Sequence, residues 1–209
     1  MREQSQALVV TVFGSSRAEP DGEEYRSAMR LGTLIAQKGW TLCNGGHEGT
    51  MEAASRGAKE VGGRTIGVSF KVYRGPRPNR WLDDEVIAET LFARLEKLVT
   101  LGDAYIVLRG GIGTLLELAL VWNLVQSQEF AHKPVVVVGD SWVQVMEAWT
   151  SNLPMWPWEA AALHFAPSVD EAIAFLAAKL STRQSRAAPS RARVRGDGNA
   201  RPRKRTNAE

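Results

Sequence analysis

The strongest constraint on the fold is a pattern that the chain repeats: a short apolar run rich in β-branched residues, an abrupt turn, then a stretch with helical spacing. It is clearest between Ala104 and Gln128. Ala104-Tyr105-Ile106-Val107-Leu108 is too short for a helix and reads as a buried strand. Arg109-Gly110-Gly111-Ile112-Gly113 breaks it, and an apolar helical run follows to about Gln128. Three glycines in the four positions 110–113 let backbone approach a ligand without Cβ atoms in the way. The N–H groups of the next helical turn lack intrahelical partners and form a natural anion site. Glu117, in that first turn, sets a carboxylate beside it. Phosphate donors next to a carboxylate suggest a nucleotide-handling site.

The rest of the chain repeats the unit. Ala7 to Phe13 reads as a first strand and runs straight into Gly14-Ser15-Ser16. A helix is expected from about Glu23 to Lys38, stopped by Gly39. Trp40 to Cys43 is a second strand, followed by the glycine-rich turn Asn44-Gly45-Gly46-His47-Glu48-Gly49-Thr50 and a helix to about Glu60. Arg64 to Ser69 is a third strand. Phe70 to Asp83 reads as an irregular, functional loop with four basic residues (Lys71, Arg74, Arg77 and Arg80). Glu89 to Leu101 is expected to be helical with Leu91, Phe92, Leu95, Leu98 and Val99 inward. Beyond the fourth strand and its helix come a fifth strand (Pro134 to Gly139), a helix (Trp142 to Thr150) and a short sixth strand (Leu163 to Phe165). The last helix opens on a capping box at Ser168 to Glu171 and runs to about Leu180.

Strands alternating with helices imply an α/β domain: a parallel sheet with helices on both faces, a three-layer α/β/α arrangement. Ligands of such sheets bind beyond the carboxyl ends of the strands. The glycine-containing turns follow strands one, two and four, so all three fall on that edge. Their convergence is a better argument for a site than any one of them.

Composition bounds the function classes. With 44% hydrophobic and 23% charged residues the chain is of globular type. No apolar run approaches the roughly 20 residues that span a bilayer, the start of the chain lacks the order of a signal peptide, and the single Cys43 cannot form an internal disulfide. A cytoplasmic, membrane-free protein is the simplest expectation. The net charge of +3 hides an asymmetry. Residues 181–209 hold nine Arg or Lys against Asp197 and Glu209, a net +7, which leaves −4 for residues 1–180. The domain is therefore expected to span residues 1–180. Residues 181–209 form a basic tail too poor in apolar groups to order itself, through which alone nucleic acid could bind.

Two common nucleotide motifs are absent: the chain has neither G-x-x-x-x-G-K-[ST] nor G-x-G-x-x-G after its first strand. His47, His132 and His164 are scattered and Cys43 is alone, so no metal is expected. What is present is an ordered set. It comprises Val12-Phe13-Gly14-Ser15-Ser16, Asn44-Gly45-Gly46-His47-Glu48-Gly49-Thr50-Met51-Glu52-Ala53-Ala54, Arg94, Gly110-Gly111-Ile112-Gly113-Thr114-Leu115-Leu116-Glu117 and His132-Lys133-Pro134. This set resembles the LOG ("lonely guy") family over roughly residues 8 to 150, most specifically in G-G-x-G-T-x-x-E.

The resemblance implies a Rossmann-like fold, a homodimer without cofactor, and hydrolysis of the N-glycosidic bond of a nucleoside 5′-monophosphate to free base and ribose 5-phosphate. It carries the family's catalytic arginine and glutamate onto Arg94 and Glu117. It carries substrate binding onto Gly14, Ser15, Ser16, Gly45, Gly46, Gly49, Thr50, Met51, Arg109, Gly110, Gly111, Ile112, Gly113 and Thr114. The residue types suit the chemistry. Glycosidic cleavage builds positive charge on the sugar, which a carboxylate stabilises, and an arginine holds phosphate or assists the leaving base.

The chain also departs from the family pattern. Arg109 stands where proline is usual, Leu95 where lysine follows the arginine, Leu116 where an acid is usual, Ile112 at an often aromatic position, and Asn44 in place of a glycine. The missing lysine and the bulky Arg109 motivate a second reading: a non-catalytic nucleotide or molybdenum-cofactor carrier of the same fold.

Overall fold

The protein is described by a computed structural model over residues 7–71 and 78–187. Part of the basic loop, with Arg74, Gly75, Pro76 and Arg77, and the tail from residue 188 lie outside the described residues. In chain order the elements are β1 (Val9–Phe13), α1 (Glu23–Gln37), β2 (Thr41–Asn44), α2 (Thr50–Glu60), β3 (Thr65–Phe70), β4 (Asp84–Ala88) and α3 (Leu91–Leu101). There follow β5 (Ala104–Val107), α4 (Ile112–Gln126), β6 (Val135–Val138), α5 (Asp140–Asn152), α6 (Pro157–Ala160), β7 (Leu163–Ala166) and α7 (Val169–Ala187).

The strands form one seven-stranded sheet in the order β4-β3-β2-β1-β5-β6-β7, and every pairing is parallel. This is the expected doubly wound α/β architecture. The order reverses between β1 and β5, where Phe13 sits in register with Val107. The loops leaving these two strands lead to opposite faces of the sheet, so a crevice opens between them.

The two faces are filled by alternate residues of each strand, as a period of two requires. Val10, Val12, Ala104 and Ile106 join α1, α2 and α7 in one core; Phe13, Tyr105 and Val107 join α3, α4 and α5 in the other. The closest approach is between α1 and α2. A Cβ on Gly32 would lie 1.8 Å from the Ala54 carbonyl oxygen, and one on Gly57 would lie 1.9 Å from that of Met29. These two glycines let the backbones touch.

Three expectations need correction. The first is an additional strand, β4. Its sequence, Asp84-Glu85-Val86-Ile87-Ala88, begins with two charges and only Ala88 is buried, the marks of a sheet edge rather than of a core strand. The second concerns α3, whose Leu91 and Phe92 are not inward: they are 41% and 84% exposed, while Arg94, Leu95, Leu98 and Val99 are the buried residues of the helix. The third is the last helix, which continues to Ala187, seven residues beyond Leu180. Its start is as expected, with Ser168 Oγ accepting from Glu171 N and bonded to Glu171 Oε1, each at 3.3 Å.

No helix among the described residues is long and apolar enough to cross a membrane.

The α1–α2 contact yields a prediction. Alanine at Gly57 would gain at most about 1 kcal/mol of helix propensity, but its methyl overlaps fixed backbone. Gly57→Ala is expected to lower stability by about 1–3 kcal/mol, read as an earlier urea midpoint. An unchanged or later midpoint would contradict the packing described.

Candidate active site

The site is built where three strand ends meet two helix N-termini. Backbone pairing carries β1 and β5 into it side by side, with Leu108 N donating to Phe13 O at 2.9 Å. Beyond them, side chains tie the loops together. The Thr114 hydroxyl on α4 donates to Gly14 O (3.0 Å). The Thr50 hydroxyl and backbone N–H on α2 both donate to Ser15 O (3.1 and 2.9 Å). The Gly14–Ser16 loop is thus clamped by both helices. Neither α2 (N-cap Gly49) nor α4 (N-cap Gly111) has a side-chain cap. Apart from the Thr50 N–H, which is used on Ser15 O, their first-turn N–H groups therefore keep their partial positive charge, which favours an anion.

Between these termini lies a cleft of about 610 Å³, lined among others by Gly14, Ser15, Ser16, Met51, Arg94, the run Arg109 to Thr114, and Glu117. Twelve of the sixteen positions expected from the sequence therefore share one wall. The other four, Gly45, Gly46, Gly49 and Thr50, stand behind it. Gly49 has φ +68°, and a Cβ there would come 2.3 Å from Ser15 O. Thr50 is 2% exposed and its hydroxyl is used on the Ser15 carbonyl. Asn44 explains the second turn: Oδ1 accepts from Gly46 N (2.8 Å), while Nδ2 donates to Met51 O and Ser55 Oγ (both 3.0 Å). An asparagine at this position folds the turn through its own side chain.

Arg94 and Glu117 meet at the floor, Glu117 from the second turn of α4 rather than the first, since the helix already opens at Ile112. Arg94 is 8% exposed and Glu117 9%. The guanidinium Nε donates to Val68 O at the end of β3 (2.8 Å), and Nη1 donates to Glu117 Oε1 (3.3 Å). A Cβ on Gly45 would lie 2.1 Å from Arg94 Nη2 and 2.7 Å from Met51 Sδ. That glycine makes the space into which the guanidinium fits. Burial raises the Glu117 carboxyl to about 7, against the Arg94 cation, which pulls it down by charge and by hydrogen bond. A carboxyl balanced near neutrality in a cleft suits acid–base or charge-stabilising work.

The departures from the family pattern fall into place. Leu95 is 6% exposed, Leu116 is 43% exposed, and neither lines the cleft. Arg109 does line it, but at the rim: its side chain is 71% exposed and Nη1 pairs with Glu24 Oε1 at 3.1 Å. It does not plug the cleft. Ile112, 82% exposed, sits at the mouth.

Sequence reasoning missed Glu24, Arg17, His47, Phe70 and Leu91, all of which line the cleft. His47 was within reach, since it stands inside the second glycine turn. The others enter only through the fold: Phe70 ends β3, Leu91 opens α3, and Glu24 lies in the first turn of α1.

Comparison with known proteins agrees with this geometry. Residues 7–154 match the sequence profile of the SLOG cluster4 family. An uncharacterized protein of Archaeoglobus fulgidus is 37% identical over 132 residues, covering 63% of this chain and 85% of that one. A cytokinin riboside 5′-monophosphate phosphoribohydrolase of Mycobacterium marinum is 38% identical over 128 residues, covering 59% of this chain and 67% of that one. Among solved structures, the molybdenum cofactor binding protein of Rippkaea orientalis is similar with a TM-score of 0.69 and 26% identity, covering 84% of this chain and 99% of that one. The kinship implied by the glycine motifs is borne out: the chain belongs to the SLOG cluster4 family, alongside phosphoribohydrolases of LOG type.

Proposed function

We propose that the protein hydrolyses the N-glycosidic bond of a nucleoside 5′-monophosphate, and that Arg94 and Glu117 are its catalytic pair. The observation that carries this reading is the buried Arg94–Glu117 contact, at the floor of a cleft whose wall is two uncapped helix N-termini. The 5′-phosphate lies on the N–H groups of Gly111 to Gly113, with Ser15 and Ser16 opposite. The ribose then extends toward the floor. As the C1′–N bond breaks, its electron pair leaves with the base and positive charge grows at C1′. The Glu117 carboxylate stabilises that charge and orients the water whose oxygen bonds to C1′. The proton released by the water ends on the departing base. Arg94 favours the ionised form of Glu117 and orients it. Names given to the relatives point the same way, since several are phosphoribohydrolases of cytokinin riboside 5′-monophosphate.

A second reading, a non-catalytic carrier of a nucleotide or of the molybdenum cofactor, is supported by the fold of the Rippkaea orientalis protein. It gives the buried carboxylate no role, so the same experiment separates the two. Wild-type protein incubated with a panel of nucleoside 5′-monophosphates is expected to release free base. Glu117→Gln should lose on the order of 10²–10⁴-fold in kcat while still binding the substrate. Only the ionised carboxylate stabilises positive charge, so kcat/KM should fall as pH drops through the Glu117 midpoint near 7. Replacing Arg94 with methionine should move that midpoint up. Wild-type protein that binds nucleotide without releasing base would favour the carrier.

We also propose a homodimer in a reducing, cytoplasmic setting. Helix α4 is apolar on every side, yet Ile112 and Leu116 are exposed, and Leu91 and Phe92 are exposed on α3. Large apolar groups left exposed favour an interface. The single Cys43 is buried, and burial pushes its thiol up to about 12, so it offers neither a disulfide nor a thiolate. Light scattering is expected to give twice the chain mass for wild type and a shift toward monomer for Phe92→Glu. A monomeric wild type would remove the dimer.

A further inference from the structure

Residues 79–83, the last limb of the irregular loop before β4, do not line the catalytic cleft, yet they hold one of its walls. At one end Asp83 is tied to the start of β3. Its Oδ2 accepts from Thr65 N (2.9 Å), its backbone N–H donates to Thr65 O (3.1 Å), and its Oδ1 accepts from Lys59 Nζ on α2 (2.6 Å). The Thr65 hydroxyl donates to Trp81 O (2.7 Å). In the middle Leu82 fills the space left by two glycines: a Cβ on Gly67 would lie 2.3 Å from Leu82 Cδ1, and one on Gly46 3.4 Å from it.

At the other end stands Asn79, which is bonded to the second glycine turn at two points. Its backbone N–H donates to Gly46 O (2.8 Å) and its Nδ2 donates to His47 O (3.0 Å), while its Oδ1 accepts from Trp81 N (3.1 Å). The turn needs these bonds. Gly45, Gly46 and His47 are buried, so their carbonyls have no water to fall back on. Gly46 has φ +76°, and two successive glycines leave the backbone with wide freedom. Asn44 Oδ1 restrains the turn from within, at Gly46 N, and Asn79 restrains it from outside.

The turn carries the seat of Arg94. A Cβ on Gly45 would lie 2.1 Å from Arg94 Nη2, so the guanidinium rests directly against this stretch of backbone. A small displacement of the turn therefore moves the guanidinium, and with it the 3.3 Å contact to Glu117.

We infer that Asn79 is a positioning residue for the Arg94–Glu117 pair, acting through the Gly45–His47 turn and touching neither member of the pair. Its consequence for catalysis rests on the hydrolase reading; the positioning itself does not. Glu117 reports it. The charged and titratable side chains that line the cleft with Glu117 are Arg17, Glu24, His47, Arg94 and Arg109, and among the described residues only Arg94 is hydrogen-bonded to it. Arg94 pulls the Glu117 carboxyl down against burial, so a guanidinium that drifts away lets its proton affinity rise.

The test is a ¹³C titration of the Glu117 carboxyl in the full chain without substrate, its signal identified by its absence in Glu117→Gln. Asn79→Ser keeps a hydroxyl that accepts from Trp81 N but does not reach the His47 carbonyl, and Asn79→Ala loses both bonds. In each the Glu117 midpoint is expected to rise by at least about half a pH unit, a threefold gain in proton affinity. In turnover, kcat should fall with KM nearly unchanged, since Asn79 does not touch the phosphate loop. Neither substitution should move the midpoint further once Arg94 is replaced by methionine, because the coupling runs through the guanidinium. Gly57→Ala, which loosens the fold elsewhere, should leave the midpoint in place. An unchanged midpoint in both Asn79 variants, or a rise of the same size in Gly57→Ala or in the Arg94→Met background, would overturn the inference. A chain that releases no base from any nucleotide would end the hydrolase reading and leave this titration standing.

Discussion

Parallel pairing of β1 with β5 is the constraint on which the rest depends. A parallel neighbour cannot follow through a tight turn, so each of these strands must end in a loop that climbs onto a helix. Because the strand order reverses between them, one chain leaves to one face of the sheet and the other to the opposite face. A crevice at that point is unavoidable, and the glycine turns line it. The clamps from Thr50 and Thr114 to the carbonyls of Ser15 and Gly14 then fix two helix N-termini on either side of one short loop.

The crevice also explains how two opposite charges are tolerated at its floor. Removing an arginine and a carboxylate from water costs several kcal/mol for each ion. Here the guanidinium is met by the Val68 carbonyl as well as by Glu117, so its hydrogen bonds offset part of that cost. Glu117 is less well served. Its one described hydrogen bond is the 3.3 Å contact with Arg94, and burial outweighs the cation in setting its affinity for a proton. A carboxylate left short of partners is ready to stabilise a positive charge that a substrate develops beside it. The surface pairs have no such role. Arg109–Glu24, whose side chains are 71% and 41% exposed, contributes at most about 1 kcal/mol.

Much of this was legible in the sequence because the signals were local. The apolar runs that became β1, β5 and β6 are nearly unbroken, as strands buried on both faces must be, and the glycine turns after β1, β2 and β5 stood out by composition. What was not legible depended on partners. Asp84 to Ala88 gives no clear strand signal because an edge strand is held by pairing on one side only. Helix α4 carries apolar residues all round, so its sequence does not say that Leu116 faces out while Leu118 is buried. Arg94 is the instructive residue. A basic side chain on an amphipathic helix is usually solvated, yet Arg94 stands four residues before Leu98, on the buried stripe of α3 that also holds Leu95 and Val99. Its burial requires Gly45, which lies on another element and gives no sign in the helix itself.

The central claim is that the Arg94–Glu117 floor and the Gly110–Thr114 loop serve the same substrate molecule. A crystal structure of the Glu117→Gln variant with AMP tests it directly. Phosphate oxygens are expected on the backbone N–H groups of Gly111 to Gly113. The ribose C1′ is expected within about 4 Å of the carboxamide introduced at position 117, close enough for a reacting group to be engaged. Phosphate bound elsewhere, or a ribose turned away so that C1′ points to solvent, would contradict it.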